Sequence, residues 1–450
     1  QRCSALRVLF VQEDIADDVS NMIIGAMKEL SLGDPSLLST DIGPVIDQRA
    51  LKTLNDHVEY MKDKGKLLYK CELPEEDGTF FAPHFFEIDN INALEKEVFG
   101  PCVHLIRFKG KEIDKVIEQI NSTGFGLTMG IHSRIEERAY ELARLSRAGN
   151  VYINRNMIGA IVGVQPFGGR GLSGTGPKAG GPNYLPRLMK EKATPKFSSQ
   201  VDKFTDDKAI QSDDTAMTQA NELMSSAMAV ENKWRLTPLN DRISFVRQLL
   251  AKIATVEIVE DLADDLNKTL ATARTQLIAI ERRLRAPTKL PGPTGESNTL
   301  HLEPRGVLVC FADKDVTFEY WVLSIVTALA TGNTVISVVS DLFYEEAMTF
   351  KDKLASTGAP NTVFQVAHLR HLEALLMNSS LAGVVVDSST NRSAYISAKL
   401  AEREGAILPV ITAEYNDNLI QRLVTEKTIS VDTTASGGNT SLMTLIEDDE

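Results

Sequence analysis

Gln165-Pro166-Phe167-Gly168-Gly169-Arg170-Gly171-Leu172-Ser173-Gly174-Thr175-Gly176-Pro177-Lys178-Ala179-Gly180-Gly181-Pro182 holds seven glycines and three prolines. With so few side chains to bury, this backbone must turn sharply and approach something closely. Gly169, Gly171 and Gly174 match G-x-G-x-x-G, a dinucleotide fingerprint that works only between a hydrophobic strand and a helix whose N-terminus receives the pyrophosphate. Pro166 stands before the match and Gly176-Pro177 after it, so neither flank is present. A plain connecting loop and a substrate-enclosing loop remain, and the flanking chain has to choose between them.

Upstream, residues 5–11 form an apolar run with strand character, and Ile15, Val19, Met22, Ile23 and Met27 follow at helical spacing. Asp47 is placed to cap a helix with a stripe of Leu51, Leu54, Val58 and Met61, ended by Gly65. Strand runs at 67–69, 80–86, 103–108, 127–132 and 151–154 are interleaved with helical patterns at 113–120 and 135–147. Downstream, residues 190–213 lack periodicity and read as a linker. Residues 214–284 are helical in pattern until Pro287, Pro291 and Pro293, after which strands at 307–311, 334–339, 363–366, 383–387 and 407–411 alternate with helices at 322–330, 345–355 and 394–404. This predicts an α/β protein in two parts, the second a doubly wound sheet. Residues 425–445 show β-branched alternation around Gly437-Gly438 and read as a hairpin or edge strand.

A chain of 450 residues exceeds one ordinary core. Its 43% hydrophobic and 24% charged content is that of a soluble globular protein. A net charge of -13 argues against a nucleic-acid surface in this segment, since phosphate contacts need clustered Lys and Arg. No apolar run approaches the roughly 20 residues of a spanning helix. Cys3, Cys71, Cys102 and Cys310 are scattered without metal-ligand spacing, so no metal site or disulfide scaffold is expected and a reduced cytoplasmic setting is. His368 and His371 read as surface residues of a helix. The chain opens on Gln1 and runs straight into a strand pattern, as a piece beginning inside a domain would.

Three strings could carry chemistry. Cys3, just before a strand, reads by itself as a small buried hydrophobe, because a nucleophilic cysteine needs a neighbouring base or cation that composition does not reveal. Glu97-Val98-Phe99-Gly100-Pro101 is a turn that can aim a carboxylate and a ring the same way; a solvated Glu beside a core Phe is the plainer alternative. Asn154-Arg155-Asn156, followed by Gly159, Ala160 and Gly163, can offer backbone amides to a carboxylate, or be an ordinary strand exit.

Taken in order, Gln1-Arg2-Cys3-Ser4, Glu97-Val98-Phe99-Gly100-Pro101, Thr123-Gly124-Phe125-Gly126-Leu127-Thr128 with Gly130-Ile131-His132-Ser133, and the Pro166-Phe167-Gly168-Gly169 loop resemble the aldehyde dehydrogenase superfamily. Residues 154–156, 164–167 and 174–182 resemble its L-glutamate γ-semialdehyde (1-pyrroline-5-carboxylate) dehydrogenase branch, and specifically the bifunctional proline-oxidising enzymes. The string Asp432-Thr433-Thr434-Ala435-Ser436-Gly437-Gly438-Asn439 is similar to the C-terminal motif of those enzymes.

The resemblance implies NAD-dependent oxidation of L-glutamate γ-semialdehyde to L-glutamate, the second step of proline catabolism, in the cytoplasm. Cys3 would be the nucleophile. Glu97 would hold the nicotinamide ribose and Phe99 would pack near the nicotinamide. Ser4, Gly159 and Ala160 would grip the substrate's α-carboxylate, and Phe167 would line the aldehyde pocket. The cofactor-binding half and the general-base glutamate would lie upstream of Gln1, with an FAD-dependent proline dehydrogenase domain further upstream as the chain's partner, so this piece alone is expected not to turn over. Room is left for a homo-oligomer. An aldehyde dehydrogenase of another substrate class is the alternative.

Residues 293–307 and 330–335 resemble the start of an aldehyde dehydrogenase cofactor domain, but Val338 and Val339 stand where the family has a lysine and a proline, Ser388-Ser389-Thr390 stands for its Gly-Ser-Thr turn, and no cysteine follows Cys310. The expected organisation is therefore a catalytic domain at 1–189, a linker at 190–213, a degenerate Rossmann-like domain without catalysis at 214–424, and a C-terminal flap with an acidic tail at 425–450.

Overall fold

The computed structural model describes residues 2–189, 212–256, 266–387, 390, 392–412 and 417–434. Residues 190–211 of the expected 190–213 linker, the Gly437-Gly438 pair read as part of a hairpin or edge strand, and most of the Asp432 to Asn439 string lie outside them. The chain forms two compact units, Gln1–Ala160 with Ser430–Glu450, and Ile161–Ile429.

The first unit begins with strand β1 (Val8–Gln12), helices α1 (Ala16–Lys28) and α2 (Gln48–Lys64), and strands β2 (Lys66–Lys70), β3 (His84–Glu87) and β4 (Cys102–Phe108). The sheet runs β1-β4-β3-β2, parallel except for β2 against β3. α2 starts where Asp47 accepts the Ala50 amide at 2.7 Å and stops at Gly65, as its sequence predicts. Leu54 and Met61 bury with Phe81, Phe86 and Val98 on one face of the sheet, and Ala16, Phe85 and Leu105 pack on the other. Helix α3 (Ile113–Ser122), strand β5 (Thr128–Ile131), helix α4 (Glu136–Leu145) and strand β6 (Asn150–Ile153) follow, with β5 and β6 parallel.

The second unit carries the glycine-rich loop, then helices α5 (Asp214–Leu236), α6 (Leu239–Ile253) and α7 (Leu266–Leu284) and the antiparallel strands β7 (Thr288–Leu290) and β8 (Glu296–Pro304). A doubly wound region follows: β9 (Val307–Ala312), α8 (Phe318–Ala330), β10 (Thr334–Val339), α9 (Asp341–Ala355), β11 (Phe364–His368), α10 (Leu372–Met377), β12 (Leu381–Val385), α11 (Ser393–Ala401) and β13 (Val410–Ile411). Its sheet is wholly parallel, in the order β11-β10-β9-β12-β13. Every residue of β9 and β10 is buried, as expected for a parallel sheet covered on both faces. α6 to α9 pack one face, and α5, α10 and α11 the other.

Two local readings are corrected. α8 starts at Phe318, four residues ahead of its apolar run, because Thr317 caps it by accepting the Tyr320 amide at 3.2 Å. His371 is buried, in a short 3-10 turn, with its Nδ1 receiving the His368 amide at 3.1 Å and its Nε2 at 2.9 Å from Gln219. Helix α12 (Asp417–Leu423) and strand β14 (Val424–Asp432) end the described chain, with β14 hydrogen-bonded to β8.

Candidate active site

In the first unit the nucleophile candidate sits in a turn closed by the Ala5 amide on the Arg2 carbonyl at 3.1 Å, immediately before β1. Cys3 is exposed, which corrects its stand-alone reading as a buried hydrophobe. Ser4, next to it, is turned inward and buried. The other three cysteines are buried, and burial pushes the Cys102 thiol up to about 12 and raises Cys71 and Cys310 as well. Cys3 is thus the one thiol of the four with access to a substrate.

Arg7 organises the surroundings. Its Nη2 donates to the Arg2 carbonyl at 3.0 Å and lies 3.8 Å from Glu97 Oε1, and its guanidinium sits over the Phe99 ring at 4.7 Å from the centroid. Burial pulls this guanidinium below its ordinary value, while the charges of Glu97, Cys3 and Cys102 push it back up. The Arg7 carbonyl accepts from the His104 amide at 3.0 Å and meets His104 Nδ1 at 3.1 Å. His104 Nε2 lies 2.8 Å from His57 Nε2, and burial lowers both imidazoles, His104 to about 4; with His104 Nδ1–H donating to the Arg7 carbonyl, His104 Nε2 is the acceptor and His57 Nε2–H the donor. One side chain therefore ties the Cys3 turn to the Glu97-Phe99 turn. Sequence reading missed it, because Arg7 sits inside a run read only as an apolar strand.

Glu97 and Phe99 are both exposed, with Val98 buried between them, so the carboxylate and the ring emerge together from the turn. Gly100 lets this turn lie flat on the core, since a Cβ there would run into the buried Leu54 side chain. Gly159 and Ala160 lie in an exposed loop beyond β6. That loop is pinned at its base by Asn154, in a left-handed conformation at φ 56°, whose side chain accepts the Ser133 amide and donates to the Ser133 carbonyl, both at 2.9 Å. Gly159 itself adopts φ +85°, and a Cβ there would have open space around it. Cys3, Glu97 and Phe99 are thus linked through Arg7, while Gly159 and Ala160 belong to a separate loop.

Phe167, the remaining candidate, lies half-buried in the second unit, in an antiparallel bridge with Ala179 closed by hydrogen bonds of 3.0 and 2.9 Å. The glycine-rich loop is held by side chains of β14. Thr428 donates to the Pro166 carbonyl at 2.8 Å, and Glu426 accepts the Lys178 amide at 2.6 Å. Its apparent fingerprint is used internally: a Cβ on Gly169 would strike the Ser173 backbone, and one on Gly174 the Gly169 backbone. No helix starts there, so the glycines serve the loop's own closure and not a phosphate. Among the described residues no cluster of side chains fits a metal ion, and no helix is long and apolar enough to cross a membrane.

The model of the aldehyde dehydrogenase family matches residues 1–194 and again residues 190–414. The bifunctional protein PutA of Salmonella typhimurium is 35% identical over 457 residues, covering 99% of this chain and 31% of that protein. A 1-pyrroline-5-carboxylate dehydrogenase of a Geobacillus species is 40% identical over 194 residues, 43% of this chain and 37% of that enzyme. The solved structure of proline utilization A from Corynebacterium freiburgense matches 96% of this chain and 36% of its own at a TM-score of 0.57 and 20% identity, a likeness of fold. The chain spans about a third of the length of the PutA relatives it matches.

Proposed function

The chain belongs to the aldehyde dehydrogenase family, and on that premise we propose that it carries the nucleophile and the substrate-anchoring surface for NAD-dependent oxidation of L-glutamate γ-semialdehyde to L-glutamate. We place it in a bifunctional, cytoplasmic proline-oxidising enzyme of the PutA kind. The observation that carries the proposal is the exposed Cys3 thiol, set in a turn that Arg7 ties to Glu97 and Phe99.

In this reading Cys3 Sγ attacks the aldehyde carbon, a C–S bond forms, and the carbonyl oxygen takes up the negative charge. The exposed Gly159 and Ala160 offer amides to the substrate's α-carboxylate at the other end, so that the reacting carbon is held in one place, and Ser4, buried beside Cys3, is assigned to that anchor by the family resemblance alone. The exposed Glu97 carboxylate fits the ribose hydroxyls of a nicotinamide nucleotide, and the exposed Phe99 ring fits the flank of the nicotinamide. NAD, when bound, would supply the acceptor for the hydride: the aldehyde's C–H bond breaks, its hydrogen leaves with the electron pair, the oxygen's charge re-forms C=O, and a thioester is left on Cys3. Water then attacks the thioester left on Cys3, its proton passing to a general base, the C–S bond breaks, and the thiolate is restored as the acid departs.

Residues 214–424 fit a non-catalytic copy of the family's cofactor domain. Support comes from the second family match, from the buried Val338 and Val339 where a lysine and a proline would stand, and from the buried Cys310. At the carboxyl end of β9, beside the reversal of strand order where doubly wound sheets take ligands, Arg392 instead pairs with Asp313 at 2.6 Å and Thr390 donates to Asp315 at 2.8 Å.

Titration calorimetry on the aldehyde-oxidising form of the protein tests both parts of this reading. One NAD per chain is expected, with Arg7→Met weakening it roughly tenfold through loss of a charge-assisted contact that orients Glu97 and Phe99. Two equivalent NAD sites, or unchanged affinity in the variant, would contradict it.

A further inference from the structure

Behind the Arg7 backbone lies a histidine pair that the proposed reaction does not use. His104, on β4, stands opposite Val8, the first residue of β1. It is almost fully buried, and the Phe86 ring of β3 stacks on it at 5.9 Å between centroids. His57, on α2, is half-buried and meets the same imidazole edge-on at 5.0 Å. α2 is thereby tied to β4, and β4 to the residue that opens β1.

The hydrogens along this line of contacts are assigned by one group that only accepts. The Arg7 carbonyl meets the His104 amide at 3.0 Å and His104 Nδ1 at 3.1 Å, so Nδ1 carries a hydrogen. His104 Nε2 is then bare, and His57 Nε2, 2.8 Å away, donates to it. Without that donor a buried nitrogen is left unfilled. Moving the hydrogen to Nε2 would fill it, but would set a bare Nδ1 against the carbonyl oxygen, and either outcome costs more than the bond itself. Burial lowers both imidazoles, and the charges of His84 and Lys96 lower His57 further, so at neutral pH the pair holds this uncharged arrangement.

What hangs on the arrangement is the root of one side chain. The Arg7 guanidinium reaches the Arg2 carbonyl, the Glu97 carboxylate and the Phe99 ring, and a long flexible stem keeps three such contacts only while its backbone is fixed. We propose that His57 is a positioning residue for nicotinamide-nucleotide binding: by donating to His104 it fixes the tautomer that grips the Arg7 carbonyl, and Arg7 in turn orients Glu97 and Phe99. The proposal rests on the reading of Glu97 and Phe99 as the nicotinamide contacts. His57 acts on the nucleotide only through these links.

The test is a double-mutant cycle, with NAD affinity read by titration calorimetry on the aldehyde-oxidising form of the protein. His57→Leu and His57→Ala lose the donor and keep a good helix former at a half-exposed position, so α2 is retained. Each should weaken NAD roughly fivefold, the worth of one hydrogen bond, with kcat at saturating NAD changed by less than about twofold. His57→Gln, whose side-chain amide still offers a hydrogen to His104 Nε2, should return the affinity to within about twofold of wild type. In an Arg7→Met background His57→Leu should have no further effect, because its link to the site is already cut. Loss of affinity in His57→Gln as large as in His57→Leu, or the same effect of His57→Leu with and without Arg7, overturns the proposal. If Arg7→Met weakens NAD and neither His57→Leu nor His57→Ala does, the proposal fails alone. If none of the three does, the reading of Glu97 and Phe99 fails and takes the proposal with it.

Discussion

Replacing Cys3 by alanine is expected to lower aldehyde oxidation by about four to six orders of magnitude, the loss seen when a covalent nucleophile is removed and only binding remains. In the bifunctional enzyme proposed here, proline oxidation should continue unchanged. The reasoning is spatial as well as chemical. Cys71, Cys102 and Cys310 are buried with raised thiols and cannot substitute, whereas Cys3 is exposed beside a guanidinium held by the Arg2 carbonyl at 3.0 Å. Cys3→Ser keeps the shape and a poorer nucleophile, and should fall almost as far. NADH formation followed by absorbance measures both, and retention of more than a few per cent of the rate by Cys3→Ala would remove Cys3 from the mechanism.

The largest expected effect on stability lies at Glu303. Its carboxylate meets Lys427 Nζ and Arg170 Nη2, each at 2.8 Å, and the Lys427 side chain is fully buried. Burial alone would raise Glu303, but Lys427 and Arg170 outweigh it and hold the acid at about 2. Glu303→Gln removes the charged group that both Lys427 and Arg170 meet, a change that typically costs about 3 kcal/mol or more. For a unit of this size the midpoint should drop by roughly 10 °C. The pH dependence has a definite sign. A carboxylate lowered from its ordinary value near 4.5 contributes stability that is fully present above that value and is lost as pH falls toward 2. Calorimetric scans at pH 7 and at pH 4 should therefore show the gap between wild type and Glu303→Gln narrowing on acidification. A gap that stays constant, or a midpoint lowered by under about 2 °C at pH 7, would mean that the ion cluster does not stabilise the unit.

The alternation of strand and helix was legible because it is local. Asp47 and Gly65 bracket α2 as their chemistry demands, and residues 334–339 form β10 over the range that their apolar run marks. What sequence could not show are partners far apart in the chain. Arg7 finds Glu97 and Phe99 across a sheet, and Glu303 finds Arg170 and Lys427 across more than a hundred residues on either side. Such pairings leave no periodicity. They are set by which strands lie side by side, not by residue type. The glycine-rich loop shows the opposite hazard: its spacing copied a phosphate motif, yet Gly169 and Gly174 are there to let the loop fold back on Ser173 and on itself. The ordered set of strings pointed to the family that the family model matches, whereas Cys3 by itself reads as buried and is exposed.

The proposed substrate class rests on the α-carboxylate anchor proposed at Ser4, Gly159 and Ala160, and kinetics test it most directly. With the aldehyde-oxidising enzyme, kcat/KM for L-glutamate γ-semialdehyde should exceed that for an uncharged aldehyde of the same chain length by at least about a hundredfold, the worth of a charge-assisted anchor realised in the transition state. Equal values for the two aldehydes, or a preference for the uncharged one, would contradict the assignment.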